Sequence, residues 1–283
     1  ILFSINIKHH SVEKTNSSFT LDDLDPSLWL ENPQRFSAGQ EAPHANLAIQ
    51  EQSHYLSLNG KWTFRWSPNC FERPVDFYQP NFDTTDWADI DVPSNWQLAG
   101  WGTPIYVNDR YPFPRNLPRI PLEQNPVGQY KRRFTLPESW TQQAIYLVFE
   151  AVKGAAHFWV NGHWLGYNQD SKTPVEFLLN PFLKPGENEI AVEVYRWSDG
   201  SYLECQDFWR LSGIERAVYL LARPVVHLRD FFVKTDLINS YQDGFIQVEL
   251  EWIKAIDQQM EEPHYLQLCL INIQGVLLWE AEQ

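Results

Sequence analysis

The segment "AAHFWVNGHWLGYN", residues 155–168, constrains the fold more than any other. Asn161-Gly162 sits between two aromatic-rich runs, and this pair readily takes the positive φ angles of a type I′ turn. A two-residue turn of that kind joins antiparallel strands. The same alternation recurs along the chain. "LNGKWTFRWS" places Trp62, Phe64 and Trp66 at a period of two, and "QYKRRFTL" and "AIYLVFEAV" follow. "KPGENEIAVEVYRW" opens on a Pro-Gly turn and sets Ile190, Val192 and Val194 on one face, and "IERAVYLLARP" closes the set. Short strands with regularly spaced turn signals predict an all-β, antiparallel sandwich. After Pro224 the pattern restarts: "HLRDFFVKTDL", "GFIQVELEWI" and "YLQLCLINIQGVLLWEAE" read as three more strands. Three strands alone would expose an edge and an apolar face, so this second sandwich is expected to be truncated.

The other end of the chain is different. Residues 1 to about 25 are polar without a clear period and read as a mobile leader. They lack the basic stretch and small-residue cleavage site of a signal peptide. The sequence has no initiator Met and is expected to begin mid-chain. From Trp29 to Ile49, Pro and Asn are frequent and apolar residues scattered, which suggests an extended arm lying on another surface.

Charge and composition exclude several functions. The net charge is -14 over 283 residues, which would repel phosphate backbones and anionic membrane surfaces. No apolar run approaches a bilayer-spanning length. Cys70, Cys205 and Cys269 are odd in number and scattered, with no zinc or disulfide pattern, as expected in a reducing compartment. Aromatic residues make up 15% of the chain, with 13 Trp. Such rings serve equally as core layers or as stacking surfaces for sugars.

Two stretches resist strand assignment: residues 93–128, crowded with Pro, Asn, Gly and rings, and residues 198–213. Long irregular loops in compact domains are commonly functional, and both are expected at one end of the sandwich. The second, within "RWSDGSYLECQDFWRLSG", gathers Asp199, Glu204 and Asp207. Two of them could flank a glycosidic bond; an acid there could instead accept sugar hydroxyls or ligate a small cation. Equally, Asp199 could cap a turn while the acids pair with Arg196 and Arg210. Asn108, in "PIYVNDRYPF", offers donors and an acceptor suited to neighbouring sugar hydroxyls. His9 and His10 read as solvated, His157 and His163 as structural strand residues. No nucleophile elbow, P-loop or dinucleotide fingerprint is present.

"VPSNWQLAGWGTPIYVNDRYPF", "QNPVGQYKRRFTLPESW", "FWVNGHWLGYNQDSKTPVEFLL" and "RWSDGSYLECQDFWRLSGIERAVYLL" resemble, in order, the N-terminal part of the large bacterial β-galactosidases of glycoside hydrolase family 2. The likeness covers about residues 29–235. It implies a leader and arm over residues 1–50, a jelly-roll, galactose-binding-like sandwich over 51–223, and the first part of an immunoglobulin-like sandwich over 224–283. It further implies a catalytic (β/α)₈ barrel beyond, which would hold both catalytic Glu residues, so the acids of residues 198–213 would not be the catalytic pair. By the resemblance, Asp207 contacts the galactosyl group and a sodium ion, and Asn108 reaches the same sugar. Asn32, Gln169 and Asp199 match ligands of a structural magnesium, although Trp29 replaces a further Asp ligand of that set. The resemblance also implies a cytoplasmic homo-oligomer that hydrolyses terminal β-D-galactosides with retention. A stand-alone carbohydrate-binding module, a complementing subunit, and a glucuronidase or mannosidase are the alternatives.

Overall fold

The structure is a computed structural model that describes residues 2–11, 25–45, 54–107, 109–256, 265 and 267–282. Two antiparallel sheets face each other. The larger runs in the order Ser37–Ala38, His163–Asn168, Ala155–Val160, Glu187–Tyr195, Val127–Thr135, Gly60–Ser67, Ala88–Val92. The smaller runs Val175–Leu178, Ala144–Phe149, Val218–Arg223, Tyr55–Ser57. Because side chains alternate along a strand, every second residue enters the layer between the sheets. Phe64, Tyr130, Phe158, Ile190, Val192 and Val194 enter from one side, and Ile145, Leu147, Phe149, Phe177, Val218 and Leu220 from the other. The Asn161-Gly162 turn has φ of 51° and 84°, as the sequence predicts. Asn161 also donates to the Phe182 carbonyl at 2.9 Å and to Asn188 Oδ1 at 2.7 Å, which locks the hairpin tip to its neighbours.

The outer face of the large sheet is also covered. Trp159 and Ala191 pack under Phe77 and Tyr78, with Tyr78 stacked on Trp159 at 5.1 Å. Tyr167 and Tyr195 pack under Trp29, Leu30, Phe113, Trp197 and Tyr202. This double coverage explains why all six residues of Ala155–Val160 are buried.

The arm lies on the chain's own sandwich. Asp25 caps the helix Pro26–Leu30 by accepting from the Ser27 N–H at 2.9 Å. The helix presses Trp29 edge-on against His157 at 5.3 Å. The arm then adds Ser37–Ala38 to the sheet edge opposite Tyr167 and Asn168. The approach is so close that a Cβ on Gly166 would lie 2.1 Å from the Ala38 carbonyl oxygen, and one on Gly39 2.1 Å from that of Leu165.

Two expectations are corrected. The supposed leader includes a strand, Leu2–Ser11, parallel to Asp243–Lys254, with Leu2 opposite Phe245 and Ser11 opposite Lys254. Ile5 and Ile7 are half-buried between exposed Ser4, Asn6 and Lys8, a period of two masked by the polar residues that follow. The third strand expected after Pro224 is a hairpin, Gln267–Ile271 with Leu277–Glu282. Asn272 Oδ1 accepts from the N–H groups of Gln274 at 3.0 Å and Val276 at 2.8 Å, and Gly275 takes φ 80°, which breaks the run into two. This region joins the sandwich through Ala255, packed with Tyr146, Val148, Tyr219 and Leu221 on the outer face of the small sheet. Arg229 reaches the Ala42 carbonyl, and the Ala45 N–H donates to Asp230 at 2.8 Å, so the arm fastens there as well.

Candidate functional site

The two irregular stretches do lie at one end of the sandwich, and they are tied to each other. Strand Trp209–Arg210 pairs antiparallel with Ile105–Tyr106. The Asn125 side chain donates to the Trp197 carbonyl at 2.9 Å and accepts from the Trp197 N–H at 2.8 Å. The Tyr202 hydroxyl donates to the Arg119 carbonyl at 2.5 Å and accepts from the Asn116 N–H at 3.1 Å. Its ring meets those of Tyr111 and Phe113 at 5.0 and 5.3 Å. Gln97 accepts from the Ser212 N–H at 2.9 Å. The arm contributes Glu31, which accepts from Ile120 N–H at 2.9 Å and from Arg119 at 2.7 Å. Backbone groups that lack a sheet partner are thus satisfied by side chains, as buried polar groups require.

The three acids have three different surroundings. Asp199 opens the short helix Asp199–Tyr202, where Ser198 and Ser201 form a capping box. It is buried, and its Oδ1 accepts from Gln169 at 2.7 Å while Gln169 Oε1 accepts from the Tyr167 hydroxyl at 2.8 Å. Burial raises the Asp199 pKa, partly offset by the Gln169 bond. Its Oδ2 is buried without a protein partner. That orphaned oxygen and the adjoining amide suit a hard cation. Asn32 is engaged within the arm, accepting from the Gln34 N–H at 3.1 Å. Trp29 points into the ring cluster of His157, Trp164 and Tyr167.

Glu204 is a latch. It takes Lys153 Nζ at 2.5 Å and the Ser171 hydroxyl at 2.8 Å. The alternative in which the acids pair with Arg196 and Arg210 does not occur. Arg196 donates to the carbonyls of Thr103 and Arg210, and Arg210 to that of Ser201. These guanidinium groups were needed to satisfy loop backbone, and Lys153 stood nearer to Glu204.

Asp207 is the outward-facing acid. It is exposed, with φ 53°, a left-handed conformation that Asp tolerates better than most residues. Beside it Phe208 and Trp209 are half-exposed, and Trp209 meets the exposed Tyr106 ring at 5.4 Å. Asn108 lies outside the described residues, two positions after Tyr106. Among the described residues no group of three or more His, Cys, Asp or Glu is gathered as a metal set.

His157 is structural: it accepts from Trp164 Nε1 at 3.2 Å, and burial, followed by the Arg73 charge, pushes it down to about 3. His163 is exposed on the hairpin, and the side chains of His9 and His10 lie outside the described residues. Glu31, Asn125 and Tyr202 hold the site together without any local sequence signal, because each acts on backbone far away in the chain. Among the described residues no helix is long and apolar enough to cross a membrane.

Comparison with known proteins agrees with this layout. Residues 55–224 match the family profile "Glycosyl hydrolases family 2, sugar binding domain". A β-galactosidase of Priestia megaterium is 42% identical over 266 residues, covering 88% of this chain and 26% of that protein. One of Vibrio cholerae is 46% identical over 221 residues, covering 77% and 21%. The chain therefore spans about a quarter of the length of these relatives. A solved β-glucuronidase from Ruminococcus gnavus shares the fold at a TM-score of 0.60 and 19% identity, over 86% of this chain and 40% of that one. On the family match and these relatives, the chain belongs to glycosyl hydrolase family 2 and carries its sugar-binding domain.

Proposed function

We propose that this chain is the sugar-binding front of a retaining β-galactosidase and forms one wall of its galactose site. One observation carries the reading. Two loops far apart in sequence are bonded into a single unit, and that unit presents an exposed carboxylate, Asp207, beside exposed rings. Asp207 would accept hydrogen bonds from galactosyl hydroxyls and donate an oxygen to a sodium ion completed by residues outside this chain. Asn108 would meet the same sugar. A sodium ion there would supply fixed positive charge for a hydroxyl oxygen. The Asp199 and Gln169 pair would hold a magnesium ion that braces the arm. A barrel outside this chain would supply the catalytic carboxylates, and positioning by the loop unit would lower the barrier. The exposed Leu28 and Phe36 of the arm would contribute to a homo-oligomer.

The test is Asp207→Ala in the full-length enzyme, assayed on a nitrophenyl β-galactoside and on the matching β-glucuronide. Expected are activity on the galactoside, a fall in kcat/KM of about 100-fold or more on substitution, and an unchanged melting temperature. Near-normal kinetics in the variant would remove Asp207 from the site. Preference for the glucuronide would favour a β-glucuronidase, as the fold relative is named. Sugar binding by the chain without hydrolysis by the full-length protein would favour a carbohydrate-binding module.

A further inference from the structure

The loop unit holds a group of charges that the sugar site does not use. Lys153, Arg196 and Arg210 line one small crevice with Ser201, Glu204 and Cys205. All three cations are buried, at 5%, 8% and 5% exposure. Glu204 is the carboxylate of that lining, and both its oxygens are engaged: Lys153 and the Ser171 hydroxyl hold one, the Ser171 N–H the other at 3.3 Å. Arg196 and Arg210 donate to carbonyl oxygens, and the Arg196 guanidinium also lies over the Trp197 ring at 4.7 Å, but neither meets a carboxylate. The Nε atoms of both are buried without a protein partner. Burial, and then the charge of Arg210, push Arg196 down to about 10. Three buried positive charges therefore face one negative charge. A buried charge without a counter-charge is strongly unfavourable, and carbonyl dipoles do not neutralise it. A water molecule would satisfy an Nε–H but leave the charge in place. The crevice is small, with room for about one water-sized sphere, which fits a monatomic anion better than phosphate or sulfate.

We propose that this crevice binds one monovalent anion of halide size, held by the Nε–H groups of Arg196 and Arg210. The inference stands apart from the galactosidase reading. Its consequence is local: the anion would brace residues 201–211, the segment that bears Asp207.

The probe is bromide. The full chain is crystallised in sodium bromide for anomalous diffraction, and its melting is followed in sodium bromide, chloride, gluconate and sulfate at fixed ionic strength. Expected are an anomalous peak between the two guanidinium groups and a saturable melting rise of about 3–5 °C at roughly tenfold excess over Kd. Gluconate and sulfate should not reproduce it. Cys205→Asp puts a fixed carboxylate on the crevice wall, at φ 64°, and should abolish the halide dependence. An empty crevice at saturating bromide, or equal melting in all four salts, overturns the proposal. If Cys205→Asp does not fold, the bromide peak and the salt series decide alone.

Discussion

The interior of the sandwich and its loop end are both built from aromatic rings, but they use them differently. Between the sheets Trp62, Phe64 and Phe158 are at 0%, 1% and 0% exposure. At the loop end Tyr106, Phe208 and Trp209 are at 51%, 52% and 49%. Aromatic content alone therefore does not mark a sugar site. The high ring count is explained first by a sandwich whose large sheet is buried on both faces. The rings that the loop unit lifts out of those layers remain available for recognition. The polar groups divide in the same way. Asp199 is buried against Gln169, and Asp207 stands free in solvent eight positions later.

This contrast can be broken most forcefully in the interior. Phe158 packs against Phe149 at 4.9 Å and Phe177 at 5.1 Å, across the two sheets. Phe158→Ala is expected to cost about 3–5 kcal/mol, read from urea unfolding. A loss under about 1 kcal/mol would mean that the layer can collapse onto the gap and is not close-packed.

The next effect is set by pH. Burial, ahead of the Arg73 charge, pushes His157 down to about 3; burial, partly opposed by its bond to the Pro224 carbonyl, pushes His227 down to about 4. Both sit near 6.5 in the unfolded chain. Their neutral forms are favoured only in the fold, so their contribution is complete above about pH 6.5 and is lost as pH falls through the folded values. Each should add up to about 1.4 kcal/mol per pH unit to the slope between about pH 6.5 and 4. Asp199 and Glu41 have raised values and work in the opposite sense at the acid end of that window. Urea midpoints at several pH values, compared with His157→Gln, should show the variant's slope reduced by about one proton. An unchanged slope would place the titrating groups elsewhere.

At the loop end, Asn125→Ala strips both partners from the Trp197 backbone while leaving every ring in place. Leaving such buried groups unsatisfied costs about 1–3 kcal/mol. A neutral result would mean that the ring cluster, and not the hydrogen bonds, holds the loops together.

The strands were legible because their signals are local. Asn161-Gly162 names its own turn, and Ile190, Val192 and Val194 name their own face. The ends of the chain were harder. Leu2–Ser11 hides its alternation in a short window, and its partner lies more than 240 residues away. The arm docks where Gly39 and Gly166 allow backbones to touch, and a glycine does not reveal what approaches it. The site was legible only in part. The loop stretches stood out by their irregularity, yet Asp199 and Asp207 look alike in sequence. What separates them is Gln169, thirty residues before Asp199 and oriented by Tyr167. The Arg196 and Arg210 pair misled for a related reason. Arg beside Asp suggests an ion pair, but the loop's unpaired carbonyls claimed those donors first.

The smallest expected effect draws the sharpest line between the two regions. Trp209 has as large a ring as Trp62, yet half of it faces solvent, and it meets the equally exposed ring of Tyr106. Trp209→Ala should therefore change stability by no more than about 0.5 kcal/mol, as exposed substitutions do. If the exposed rings recognise sugar, the same variant in the full-length enzyme should raise KM for a galactoside with little change in kcat, because stacking acts on ground and transition states alike. A stability loss comparable to that of Phe158→Ala would show that Trp209 belongs to a core layer. In that case the division between structural and recognition rings would fail where it was drawn, at strand Trp209–Arg210.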